Sequence, residues 1–181
     1  FTALTERLAR RGKVGAEIMR DTLDGVFTAL LDEAYDWGAG LLKWGGDALL
    51  LLFDGPFHAE RAARACWEMQ KTLDRVGRLR VGGGTIVLRM STGITTGKLE
   101  FFLAGSVHRE LLIAGPAASR TVEMEGAATA GEVLLSPELA AILPPASLGV
   151  PKGPGVLLRR EPSGLPADTI ESPFSCVDDD L

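Results

Sequence analysis

Between Ala16 and Tyr35 the apolar residues Met19, Leu23, Val26, Phe27, Leu30 and Ala34 recur at helical steps. That spacing keeps one face of a helix against a core and predicts one long helix. Gly40 to Trp44 and Ala48 to Phe53 then read as two strands joined by Gly45-Gly46-Asp47, because paired glycines supply the positive backbone angles of a tight turn. The second strand is apolar on both faces, which predicts a central place in its sheet with cover above and below. A second helix follows Pro56, with Ala62, Cys66, Met69, Leu73 and Val76 along one stripe and Arg61, Arg64 and Lys71 assigned to the other face.

Gly82-Gly83-Gly84 reads as a flexible connection, and Ile86 to Thr95 as a single strand ended by Gly97. Lys98 to Ala104 and Glu110 to Ala114 have the look of two hairpin arms. Gly115-Pro116 opens a short helix through Met124, with proline in the first turn, where its missing N–H costs nothing. Val133 to Leu135 is a brief strand, and Ser136 is placed to cap a short helix beginning at Pro137. Beyond Leu143 the chain turns rich in proline and glycine. It reads as an irregular extension over 144–181 with one edge strand at Val156 to Arg159. Strands and helices interleave without strict alternation, so the class expected is α+β with a mainly antiparallel sheet covered by helices.

A chain of 181 residues, 46% of them hydrophobic, is long enough for one ordinary core. The net charge of -5 excludes a general nucleic-acid or anionic-membrane binder, since both need a basic surface. An anionic ligand would therefore have to be held by a local device such as a metal. Cys66 and Cys176 lie far apart, with Cys66 inside a helical pattern, so a reducing, cytoplasmic setting is expected rather than a disulfide scaffold. No apolar run approaches the roughly 20 residues of a membrane span, and the first residues are too charged for a signal peptide.

Asp47 is the residue that stands out chemically. Aspartate is a common turn former, but a carboxylate at the end of an apolar strand pair, with glycines leaving room beside it, is also a candidate magnesium ligand.

The ordered series "FTALTERLARRG", "LLKWGGDALLLLF", "LRMSTGITTGKL", "AGSVHRELLIAGPAASRTVEME" and "GEVLLSP" resembles the class III nucleotidyl cyclases over residues 1–143. The texture is closest to bacterial cyclases related to the soluble adenylyl cyclase of animals, and especially to the first of its two catalytic halves. The resemblance implies a ferredoxin-like palm, ATP as substrate, and a reaction assisted by two Mg2+ or Mn2+ ions. It also implies a second cyclase domain as partner, in a homodimer or pseudo-heterodimer whose sites lie between the domains. Asp47 matches the hairpin aspartate of the metal pair. The other family aspartate falls a few residues ahead of the phenylalanine that matches Phe1, outside this sequence. Phe1 and Thr2 match the stretch whose backbone N–H groups meet the phosphates.

Lys43 matches the lysine that reads adenine, although a lysine at a strand end is equally a plain surface residue. The companion that accepts the adenine amino group aligns with Leu112, which has no acceptor. The transition-state asparagine aligns with Ser119, the catalytic candidate of this chain. The family arginine aligns with Glu123, of the wrong sign for a triphosphate, and leaves Arg120 as the nearby cation for the nucleotide. Ser91 aligns with a position that often holds a phosphate-contacting arginine. Arg89, on the same strand face, is read either as reaching that region or as solvent-facing. The metal half is thus kept and the opposite half degraded, as expected of a domain completed by a different partner. The alternative is a catalytically degenerate dimerising or nucleotide-sensing module. Diguanylate cyclases also carry a Gly-Gly-Asp hairpin, but their expected second acid is Ala48 here.

Overall fold

Helix α1, Gly12–Asp36, turns Val26, Phe27, Leu30 and Ala34 inward, as their spacing requires. The computed structural model to which it belongs describes residues 12–81 and 84–165. Phe1, Thr2, Gly82, Gly83, Cys176 and the run Asp178-Asp179-Asp180 lie outside the described residues. What is described forms two compact units that part between Leu88 and Arg89.

In the first unit, α1 is followed by strands β1 (Gly40–Gly45) and β2 (Ala48–Leu52), which pair antiparallel. Helix α2, His58–Val76, packs against α1, and Thr72 Oγ1 donates to Glu33 Oε1 across them at 2.6 Å. Strands β3 (Arg78–Val81) and β4 (Gly84–Val87) close the unit as an antiparallel hairpin. The arm β3 was not read from the sequence; with it, Gly84 begins a strand instead of prolonging a linker.

Three expectations change here. Strand β2 is half-buried rather than covered on both sides, and β1 is its only hydrogen-bonded neighbour among the described residues. The single strand expected over Ile86 to Thr95 is two, β4 and β5 (Thr92–Ile94), because the backbone changes partners between them. The Leu88 N–H bonds the Gly77 carbonyl at 2.8 Å, whereas the Met90 carbonyl accepts from Gly131 at 2.8 Å and the Thr92 N–H donates to Glu132 at 3.0 Å. Arg61, assigned to the outer face of α2, is 6% exposed. Its guanidinium bonds three main-chain carbonyls, which offsets the burial of its charge.

The second unit is built on a four-stranded sheet of order β5-β8-β10-β9, with β8 at Val133–Leu135, β9 at Leu148–Lys152 and β10 at Gly155–Leu158. Strand β5 runs parallel to β8, while every other strand pair described is antiparallel. The α+β class with a mainly antiparallel arrangement therefore holds. Helix α3, Pro116–Ala127, lays Met124 on Leu134 and Leu157. Ser136 caps the short helix α4, Pro137–Ala140, by accepting from the Leu139 N–H at 3.3 Å. A hairpin of β6 (Glu100–Ala104) and β7 (Glu110–Ala114) completes the unit.

The stretch after Leu143, read as irregular, carries a 3-10 turn at Pro145–Ser147 and the hairpin β9–β10, so the sheet continues past that point. The strand expected at the edge is β10, and it is internal. The edge is β9, which holds Pro151. A proline lacks the N–H that an internal strand must donate, so the proline-bearing strand takes the outer place.

Candidate functional site

The hairpin that carries Asp47 is held at both ends by one side chain. Arg61 donates from Nε to the Pro56 carbonyl at 3.1 Å, from Nη1 to the Trp37 carbonyl at 3.2 Å, and from Nη2 to the Asp54 carbonyl. Trp37 precedes β1, and Asp54 and Pro56 follow β2. One planar fork thus ties the entry of the hairpin to its exit, a geometry lysine cannot copy. Arg64, one turn further along α2, lies 5.2 Å over the Trp37 ring and pairs with Glu68 at 3.2 Å. The sequence signal for the clamp was the small-residue setting of Arg61, with Ala59, Ala62, Ala63 and Ala65 around it and Gly38 ahead of β1.

Within the hairpin Gly45 pairs with Ala48, so the turn consists of Gly46 and Asp47 alone. Gly46 takes φ of +64°, a conformation that favours glycine. Asp47 is exposed at the tip, and a Cβ on either Gly45 or Gly46 would meet nothing within 4 Å. There is room beside the carboxylate for a hydrated cation and a phosphate group.

The register skips Leu42 between the pairs Leu41–Leu51 and Lys43–Leu50. That β-bulge reverses the alternation along β1. Trp44 consequently shares a face with Leu41 and packs on Phe27 of α1, with ring centroids 4.9 Å apart. Lys43 is exposed on the opposite face, beside Leu50. The Trp44 Nε1–H donates to the Gly46 carbonyl at 3.1 Å, which links the ring to the turn itself.

The remaining predicted residues belong to the second unit. Ser119 is exposed on α3. Arg120, beside it, pairs with Glu123 at 3.0 Å and approaches Glu138 at 4.0 Å. The Glu138 carboxyl sits below its ordinary range through its own backbone N–H first, then the Ser136 hydroxyl and the Arg120 charge. Arg120, expected as the nearby cation for the nucleotide, is therefore engaged by Glu123, which aligns with the family arginine. Leu112 is exposed on β7 and offers no polar atom. Arg89 is exposed but lies in the segment between β4 and β5, so it does not share a strand face with Ser91. The Ser91 hydroxyl instead donates to Glu125 Oε1 at 2.6 Å. Asp47 and Lys43 are thus brought together on one hairpin, and Ser119 and Arg120 on one helix.

Among the described residues no three His, Cys, Asp or Glu side chains gather as a ready-made metal cage. A lone exposed carboxylate suits Mg2+ or Mn2+, which keep several waters and take their other ligands from substrate phosphates. No described helix is long and apolar enough to cross a membrane.

No family model matches the chain, and no curated protein matches it by sequence. Solved structures do match. The guanylyl cyclase Cya2 superposes with a TM-score of 0.66 at 24% identity, covering 87% of this chain and 86% of that one. The adenylyl cyclase CyaB from P. aeruginosa gives 0.62 at 19% identity over 84% and 85% of the two chains. The guanylate cyclase domain of RhGC from Catenaria anguillulae, solved in complex with GTP, gives 0.61 at 18% identity over 78% and 85%. The fold is that of class III nucleotidyl cyclase catalytic domains.

Proposed function

We propose that this chain is a nucleotidyl cyclase domain that makes cyclic AMP and pyrophosphate from ATP and contributes the metal-binding half of a dimeric site. The observation that carries the reading is the exposed Asp47 on a two-residue turn of a clamped hairpin, within a fold shared with solved nucleotidyl cyclases. In the reaction the ribose 3'-oxygen bonds to the α-phosphorus, its proton leaves to solvent or a base, and the bond to the bridging oxygen breaks to release pyrophosphate. Divalent ions bound at Asp47 would stabilise the charge on the attacking and departing oxygens. Lys43, on the face away from Trp44, would meet the base and favour ATP over GTP. Ser119 would take the place of the transition-state asparagine, and Arg120, Arg89, Phe1 and Thr2 would serve the nucleotide.

The partner is a second cyclase domain. Phe101, Phe102, Leu103 and Val107 of the β6–β7 hairpin and its loop are all exposed, Val107 at 99%. Such a set of apolar side chains favours association over a monomer. Leu112 and the Arg120–Glu123 pair favour the second reading, a degenerate module that dimerises or senses nucleotide without turnover.

The test is cyclic nucleotide and pyrophosphate formation from ATP and from GTP with Mn2+, by the chain alone and mixed with a cyclase domain that keeps its base and transition-state residues but is inactive by itself because its metal aspartates are replaced. Turnover that disappears in Asp47→Ala supports the cyclase reading. Its absence in every mixture supports the degenerate one.

A further inference from the structure

The indole of Trp44 joins the first helix to the turn. Its ring packs on Phe27, which is 6% exposed in α1, at 4.9 Å between centroids and 58° between planes. Its Nε1–H reaches the Gly46 carbonyl at 3.1 Å. That carbonyl belongs to the peptide joining Gly46 to Asp47, so the bond restrains the rotation that would swing the Asp47 carboxylate. Gly46, with φ of +64° and open space around it, provides little restraint of its own. A glycine in a tip turn samples many conformations, and an exposed turn held only by its strands frays first.

We propose that Trp44 is a positioning residue for Asp47: anchored on α1 through Phe27, it fixes the Gly46–Asp47 peptide and so presents the carboxylate in one orientation to the divalent cation. The bulge at Leu42 is part of the device, because without it Trp44 and Leu41 would lie on opposite faces. The inference rests on the metal role of Asp47 proposed above.

Equilibrium dialysis of Mn2+ and ATP against the retained protein, which counts the ion bound to the protein itself, tests it on the 181-residue chain. Trp44→Phe keeps a ring for Phe27 but removes the donor. Affinity for Mn2+ is expected to fall about three- to tenfold, the range one hydrogen bond contributes, with an unchanged thermal midpoint. If that variant does not fold, benzothienylalanine at position 44 removes only the N–H from a bicyclic ring of the same shape and is expected to give the same loss. Unchanged affinity in the folded variant, while Asp47→Ala abolishes binding, overturns the positioning role and leaves the metal site standing. Wild-type affinity in Asp47→Ala, or no Mn2+ binding by the wild-type chain, overturns the site reading itself.

Discussion

Gly38 leaves the space that Arg61 occupies: a Cβ on Gly38 would run into Nη1 of the guanidinium. Gly38 also holds φ of +76°, which L side chains rarely adopt. The glycine ahead of β1 and the arginine on α2 thus form one device, and it decides where the Asp47 hairpin leaves the helical layer. Gly38→Ala and Arg61→Met should each lower stability by about 1–3 kcal/mol, because each takes the charged donor from three partly buried main-chain carbonyls. Arg61→Lys should recover little of this, since an ammonium cannot reach three carbonyls in one plane. Urea unfolding midpoints of the three variants check both statements.

Gly93 is the corresponding close contact of the second unit. A Cβ there would meet the Thr121 carbonyl at 2.7 Å and the Glu125 Cα at 2.8 Å, both backbone atoms of α3 that cannot rotate away. Gly93→Ala should destabilise by about 1–3 kcal/mol, as overpacking does. The readout is loss of hydrogen-exchange protection in β5 and α3, with protection in α1 and α2 retained.

Glu132 links stability to pH. Hydrogen bonding from Lys152, then from the Thr129 N–H, lowers its carboxyl from 4.5 to about 2. A folded-state value below the unfolded one means that the charged form favours the native state. The contribution is present above about 4.5 and lost as pH falls toward about 2. Lys152→Met should flatten the acid limb of the stability profile in that window. Salt should have a similar effect on the wild type, because both partners are partly exposed. Thermal midpoints taken across the window with and without added salt measure both.

Cys66 is buried on α2, and burial pushes its thiol up to about 12. At pH 8 it is a protonated apolar side chain without thiolate reactivity. Labelling of Cys66 by a thiol reagent, mapped by peptide mass spectrometry, should be undetectable in the native protein and prompt in urea. Rapid native labelling would show that α2 is not packed as described.

Periodicity disclosed α1 and α2 because their inner faces are apolar at helical spacing, and the Gly46–Asp47 turn because few other residues fit it. Arg61 was misplaced for a physical reason. A pattern of polar and apolar positions scores a guanidinium as surface, and its three partners are main-chain carbonyls, of Pro56, Asp54 and the more distant Trp37, of which side-chain identity carries no trace. The split of Ile86–Thr95 was hidden in the same way, since Leu88 and Met90 look alike and differ only in their backbone partners, Leu88 donating to the Gly77 carbonyl and Met90 accepting from the Gly131 N–H. The β9–β10 hairpin was obscured by Pro151, which argues against a strand until an edge position is available for it. At the hairpin, the sequence placed Asp47 in the turn and Lys43 in the first strand, where the structure has them. The Leu42 bulge that brings Trp44 onto the face of Leu41 depends on register, which the residues of β1 alone do not state.

The central claim is that the Gly46–Asp47 turn grips a divalent ion that carries nucleotide. Its most direct measurement is the paramagnetic broadening of backbone amide resonances on adding Mn2+ with ATP to the isotopically labelled chain. Broadening centred on Gly46, Asp47 and Ala48, and absent in Asp47→Ala, is the predicted result. Broadening that spares this turn, or persists there without the carboxylate, would contradict the account.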